Sequence, residues 1–181
     1  PAVPTPPSPN PEPPPPPPSP SPPPWRIPDE DRRAYLTITN QNRCMHGSPP
    51  LVWDEQLAFE SYKYIKDWTC FAGHSPHVKQ LGQGENIFTA GILPAAGKLG
   101  KIPQFATPQA SIEAWYDGEV KNCIGGPEGF TDGCRHAATY GTVTGHFTAL
   151  VWRSSTRMGC ANNDLGHYSI CRYANEFPYF T

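Results

Sequence analysis

Residues 145–152 read Gly145-His146-Phe147-Thr148-Ala149-Leu150-Val151-Trp152. The run is short and apolar, and its periodicity fits a helix or a strand equally well. Its flanks say more. Upstream, residues 122–145 hold six glycines together with Cys123 and Cys134, the composition of a long stapled loop. Downstream, residues 158–161 and 168–173 read as short strands. Further toward the N-terminus, Thr107-Pro108 is a cap followed by proline at the first helical position, opening a helix that carries Ile112, Trp115 and Glu119 on nearby turns. Residues 53–70 give the clearest helical pattern, with Leu57, Tyr64, Ile65 and Trp68 on one face and Glu60, Lys63 and Lys66 elsewhere. Gly, Ser and Pro interrupt that pattern through residues 73–84. Asp29 is a candidate N-cap with Glu30 and Asp31 behind it, and the helix it opens is expected to run to about Arg43 and end near Gly47. Helices first and paired strands late indicate an α+β layered domain.

Composition divides the 181 residues in two. Sixteen of the first 24 are proline, whereas all five tryptophans and all six cysteines lie beyond them. Two units follow: a proline-rich arm over 1–24 and one domain over 25–181, long enough for a single core. The net charge of −2 supplies no basic field for nucleic acid or anionic lipid. Cys44, Cys70, Cys123, Cys134, Cys160 and Cys171 form an even set with no CxxC spacing, which favours a disulfide framework and an oxidising compartment over reduced thiols. No apolar run approaches the ~20 residues of a membrane span. The chain opens on Pro1 without methionine, as expected after removal of a signal peptide.

The arm includes six consecutive prolines at residues 13–18. Proline fixes φ and lacks the backbone donor, so the expected state is an extended polyproline II rod of about 70 Å, at ~3.1 Å per residue. Its Ser-Pro alternation and contiguous prolines resemble the extensin-type wall glycoproteins of plants and algae. That resemblance implies hydroxyproline and O-linked glycans, with Pro9, Pro20 and Ser21 as candidate positions. No Asn-x-Ser/Thr sequon occurs, so any glycan would be O-linked. A plain spacer and a ligand for a polyproline-reading groove are the alternatives. The arm is expected to dock onto other protomers in a repeating extracellular assembly.

The run at 145–152 closely resembles the first signature of the CAP superfamily, which holds cysteine-rich secretory proteins, antigen 5 and plant pathogenesis-related proteins. Other strings agree in order. Pro50-Leu51-Val52-Trp53-Asp54 with Leu57-Ala58 is similar to the family's PLxWDxxLA step. His74-Ser75 and Gly84-Glu85-Asn86-Ile87 resemble its HS…GENI segment, and Arg153, Arg157, Met158, Gly159 and Cys160 its WRxSxRxGC run. The matches extend over roughly residues 33–173.

The resemblance implies a three-layer α-β-α sandwich with a central cleft, lined by His74, Glu85, Glu119 and His146 and able to hold a divalent metal such as zinc. Against this, His146 reads alone as a histidine hydrogen-bonded in a core, and Glu85 as a tether for backbone at the Gly84 turn. The chain departs from the family in three places. Gly118 stands where the family places its second acid, so Glu119, one later, takes that role, with Asp117 behind it. Thr39 replaces the histidine of the HNxxR opening, and Asn175-Glu176-Phe177 replaces the usual C-terminal ending. The resemblance further implies disulfides of Cys160 with Cys171, Cys123 with Cys134, and Cys44 with Cys70. No GxSxG, HExxH or cysteine nucleophile is visible, so no catalytic residue is assigned, and metal-dependent hydrolysis supported by His74 and His146 is the lesser alternative. Binding of sterol, lipid or polysaccharide is implied by relatives, with residues 88–105 either lining a groove or forming a packed surface loop.

Overall fold

The computed structural model describes residues 22–23, 25–76, 78, 81–91, 105–124 and 143–175. Five helices and four strands lie within them, in the chain order α1 (Asp29–Met45), β1 (Val52–Trp53), α2 (Glu55–Ile65), β2 (Gly84–Thr89), α3 (Pro108–Trp115), α4 (Val120–Ile124), α5 (Gly145–Leu150), β3 (Arg157–Asn162) and β4 (Tyr168–Ala174). The undecided run at 145–152 is therefore a short helix.

The strands form one sheet in the order β1-β3-β4-β2, antiparallel except for the β1–β3 pair. Alternation along the strands sorts its two faces. Ile87, Ala161, Tyr168 and Ile170 pack with Ile65 of α2. Met158, Cys160, Cys171 and Tyr173 face the other way and join Tyr35, Ile112, Trp115, Phe147 and Leu150 of α1, α3 and α5. This is the α-β-α sandwich.

Local chemistry fixes the helices. Asp54 caps α2 by accepting from the Gln56 and Leu57 amides at 2.8 and 3.0 Å, and its other oxygen pairs with Arg157 on β3. Helix α2 is shorter than the sequence pattern, which spans 53–70: Trp53 belongs to β1 and the helix ends at Ile65. Thr107 caps α3 through the Ala110 amide at 3.2 Å, with Pro108 in the first turn. Asp29 is the first helical residue of α1 rather than its cap. Pro28 occupies the cap position without a side-chain bond, and Asp29, Glu30 and Asp31 act on the helix dipole instead. Gly47 ends that helix at φ +63°. Arg43, fully buried, pins this end by donating to the carbonyls of Pro49, Leu150, Trp152 and Ser155.

Cys160 and Cys171 are directly opposed on β3 and β4 and form the expected disulfide, with Cα atoms 4.1 Å apart. Cys123 is disulfide-bonded and buried. Cys134 lies outside the described residues, as do arm residues 1–21 and 24, the loop at 125–142 and most of the insertion at 88–105.

The expected pairing of Cys44 with Cys70 is not formed: both thiols are free and exposed. The sheet itself separates them. Arg43, next to Cys44, bonds Ser155 just before β3, whereas Asn163, just after β3, donates to the carbonyl of Trp68 near Cys70. The six-residue strand between these anchors spans about 20 Å at ~3.3 Å per residue. A disulfide requires Cα atoms within about 7 Å.

Candidate functional site

The four residues marked by sequence come together as two pairs. Glu85, on the edge strand β2, accepts at Oε1 from the Ser75 amide at 2.9 Å and bonds His74 Nδ1 at 2.9 Å. Its Oε2 takes the Arg172 Nε of β4 at 3.1 Å. Register explains the second contact, because Glu85 and Arg172 are cross-strand neighbours on the α2 face. Arg172 is itself buried, lies over the Tyr64 ring and stands 3.8 Å from Glu60 of α2. His74 is the exposed end of this network.

The second pair is built across the other face. Glu119 Oε1 bonds His146 Nδ1, and Oε2 accepts from the His146 and Phe147 amides at 2.9 and 3.0 Å. One carboxylate thus holds both the imidazole and the opening turn of α5. Burial pushes the Glu119 carboxyl up, but the His146 and Phe147 hydrogen bonds outweigh it and hold the group below its ordinary value of 4.5. Asn86 joins α5 to the sheet by donating to the His146 carbonyl at 3.0 Å.

Glu119 reaches this place outside the helix that was expected to carry it. Helix α3 ends at Trp115, and the Glu119 amide bonds the Tyr116 carbonyl in the turn beyond. At Gly118 a Cβ would fall 2.3 Å from the Ala114 carbonyl oxygen, so the acid follows one position later. Glu85 does tether backbone, at Ser75 rather than at the Gly84 turn.

A carboxylate facing Nδ1 accepts from it, and in that tautomer a neutral ring carries its lone pair on Nε2. A carboxylate behind Nδ1 is the arrangement that orients a metal-binding imidazole. The carboxylate oxygens are occupied by amides, imidazoles and Arg172. Among the described residues no three His, Cys, Asp or Glu side chains group to hold a metal, so a four-ligand site is not what this geometry supplies. Sequence reading missed Arg172, visible as a charged residue amid an apolar strand, and also His46, whose Nε2 lies 2.8 Å from the Tyr116 hydroxyl and whose ring meets Phe147 edge-on.

An α-β-α sandwich with two histidine–carboxylate pairs flanking its edge strand defines the class of protein. The family model described as "Cysteine-rich secretory protein family" (CAP) matches residues 36–173, and the chain belongs to that family. It is 30% identical over 143 residues to Secreted protein RBT4 of Candida albicans, covering 76% of this chain and 33% of the relative. With Pathogenesis-related protein 1A of Nicotiana tabacum it shares 27% over 149 residues, 78% of this chain and 73% of the relative. The chain thus spans about a third of RBT4 but most of the tobacco protein. The solved structure of NaASP2 with Zn2+ superposes with a TM-score of 0.58 at 17% identity, covering 82% of this chain and 80% of that one, a likeness of fold. No helix among the described residues is long and apolar enough to cross a membrane. Family membership and the disulfides agree on the secretory, oxidising route to the extracellular space.

Proposed function

We propose that the protein is an extracellular assembly and binding unit, in which the CAP domain is the module and the proline-rich arm over residues 1–24 connects protomers. The observation that carries this reading is the root of the arm. The Trp25 ring packs edge-on against Phe59 of α2 with centroids 5.5 Å apart, and Ile27 is buried in the core. Arg26 pairs with Asp29 and reaches Glu55, which Arg32 also holds at 2.8 Å. A rod fixed at its base transmits orientation from one domain to the next, which a loosely hung tail does not. O-linked glycans on Pro9, Pro20 and Ser21 would stiffen and solvate it. Electron microscopy and size-exclusion of the full chain test the reading: connected particles are expected, and monomers with freely swinging arms would sink it. A mass spectrum of residues 1–24 with bare proline throughout would remove the glycoprotein part.

The imidazole geometry favours a second role, binding rather than catalysis. His74 and His146 would together hold a divalent ion such as zinc through Nε2, with water filling the other positions. Zinc titration of the wild type against His146→Ala tests it; equal affinities would exclude the site. The alternative to assembly is a monomeric binder of sterol, lipid or glycan in defence. It draws on the pathogenesis-related relatives, and a sterol and polysaccharide binding panel separates the two readings.

A further inference from the structure

Cys44 and Cys70 were expected to bond each other and instead stand free, exposed and at opposite ends of β3. The other described cysteines, Cys123, Cys160 and Cys171, are buried and bonded. The same molecule therefore carries oxidised cysteines inside and two thiols outside that cannot reach one another.

Each thiol sits on a firm base beside an exposed apolar side chain. Cys44 is in the last turn of α1, anchored by the four carbonyl bonds of Arg43, and is followed by Met45, 66% exposed. Cys70 is followed by Phe71, 54% exposed, whose ring meets Trp68 and through it Tyr64 and Tyr168. Beneath Cys70 lies a second, independent feature. The Tyr168 hydroxyl is buried yet has no hydrogen-bond partner among the described residues. Burial, and to a lesser degree the neighbouring Cys70, push its phenol up.

We propose that Cys44 of one copy and Cys70 of a second copy form an intermolecular disulfide, linking domains head to tail. One such bond leaves a free Cys44 on one copy and a free Cys70 on the other, and the linkage propagates where these two bond further copies instead of each other. The oxidant is a disulfide of the secretory compartment, either a protein oxidoreductase or an oxidised low-molecular-weight thiol. The Cys70 thiolate attacks one of its sulfurs, forming a mixed disulfide and releasing the first thiolate. Cys44 of the next copy, having lost its proton, attacks the Cys70 sulfur and releases the second. Two protein thiols lose two electrons and two protons, and the oxidant leaves as two thiols. The proposal rests on the assembly reading above but names a different bond.

The test uses the secreted full chain purified without reductant, and beside it a mixture of normal and 15N-labelled protein mildly reduced and then reoxidised with an oxidised low-molecular-weight thiol. Non-reducing electrophoresis is expected to give a ladder that collapses on reduction. Peptide mapping is expected to find Cys44 joined to Cys70 with the two isotopes mixed. Cys44→Ser and Cys70→Ser should each abolish the ladder without unfolding the domain, since both side chains are exposed. Four results overturn the proposal: a monomer with both thiols open to alkylation, capping by a small thiol, a Cys44 to Cys70 bond within one copy, or bonds only between like cysteines. Size-exclusion in reductant separates the two ideas. Assemblies that persist there belong to the arm, and a missing ladder leaves them untouched.

Discussion

The two faces of the sheet solve the same problem with different means. Each buries a glutamate that holds a histidine at the rim. On the α2 face the charge of Glu85 is met by another side chain, Arg172, itself backed by Glu60. On the opposite face the charge of Glu119 is met by main-chain amides at the start of α5. A guanidinium is mobile until packed and carries a full charge, so removing it strands the carboxylate. Amides belong to the fold, so the carboxylate is the part that can be lost. The α2 face should therefore break at the partner, and the α5 face at the acid.

The largest effect is expected from Arg172→Met. It leaves the buried Glu85 without its guanidinium, held only by the Ser75 amide and His74, at a cost of about 3–5 kcal/mol, read from the shift in the urea midpoint. Arg172→Met combined with Glu85→Gln should recover a good part of that loss. No recovery would mean that packing over Tyr64, rather than charge, is what Arg172 supplies.

Next comes Gly159→Ala, which probes the α2 face without touching its charges. A Cβ there would lie 2.3 Å from the Ala58 amide nitrogen and 2.5 Å from the Asp54 carbonyl oxygen, so the first turn of α2 must move off β3. About 3 kcal/mol is expected, together with weakened protection from exchange at the capped amides of Gln56 and Leu57. Unchanged protection there would show that the helix accommodates a methyl and that the close approach is not essential.

Glu119→Ala is the matching cut on the other face. It strips an ionised acceptor from the two α5 amides and from His146, for an expected loss of about 2 kcal/mol. The same residue gives the comparison a pH dependence. The folded Glu119 lies below its ordinary 4.5, so the stability it adds is complete above that value and is lost as pH falls from it through the lower folded value. Glu119→Gln should flatten the acid limb of the stability profile. An acid limb as steep as that of the wild type would assign it to other carboxylates.

The faces were not equally legible in the sequence. Helix positions followed from period, Thr107 from its cap chemistry, and strands β3 and β4 from short β-prone runs, because these signals are local. Strand β2 was visible only through the GENI resemblance, and β1 was absorbed into the helix pattern beginning at Trp53. Two residues are too few to show alternation, and an edge strand carrying Glu85 and Asn86 lacks an apolar rhythm. The four site residues were found by family likeness. Their sorting into two pairs depended on register and on the steric demand at Gly118, neither of which a one-dimensional reading contains. Pairing Cys44 with Cys70 failed for the same reason, because it ignored the length of β3 between them.

The smallest effect on stability, and the sharpest division between the faces, should come from the histidines themselves. His74 is more than half exposed and its bond to Glu85 is one of several on that carboxylate, so His74→Ala should cost less than about 1 kcal/mol. His146→Ala removes a less exposed ring but leaves both amide bonds to Glu119 in place, so its cost should also be modest. Calorimetric zinc titration then reads what stability does not. If one ion is shared by the two Nε2 atoms, both variants lose saturable binding although the faces that carry them remain folded. Binding that survives in His74→Ala and vanishes in His146→Ala would confine the ion to the α5 face, and the reverse result to the α2 face. Either would break the shared site while leaving the scaffold of carboxylates as described.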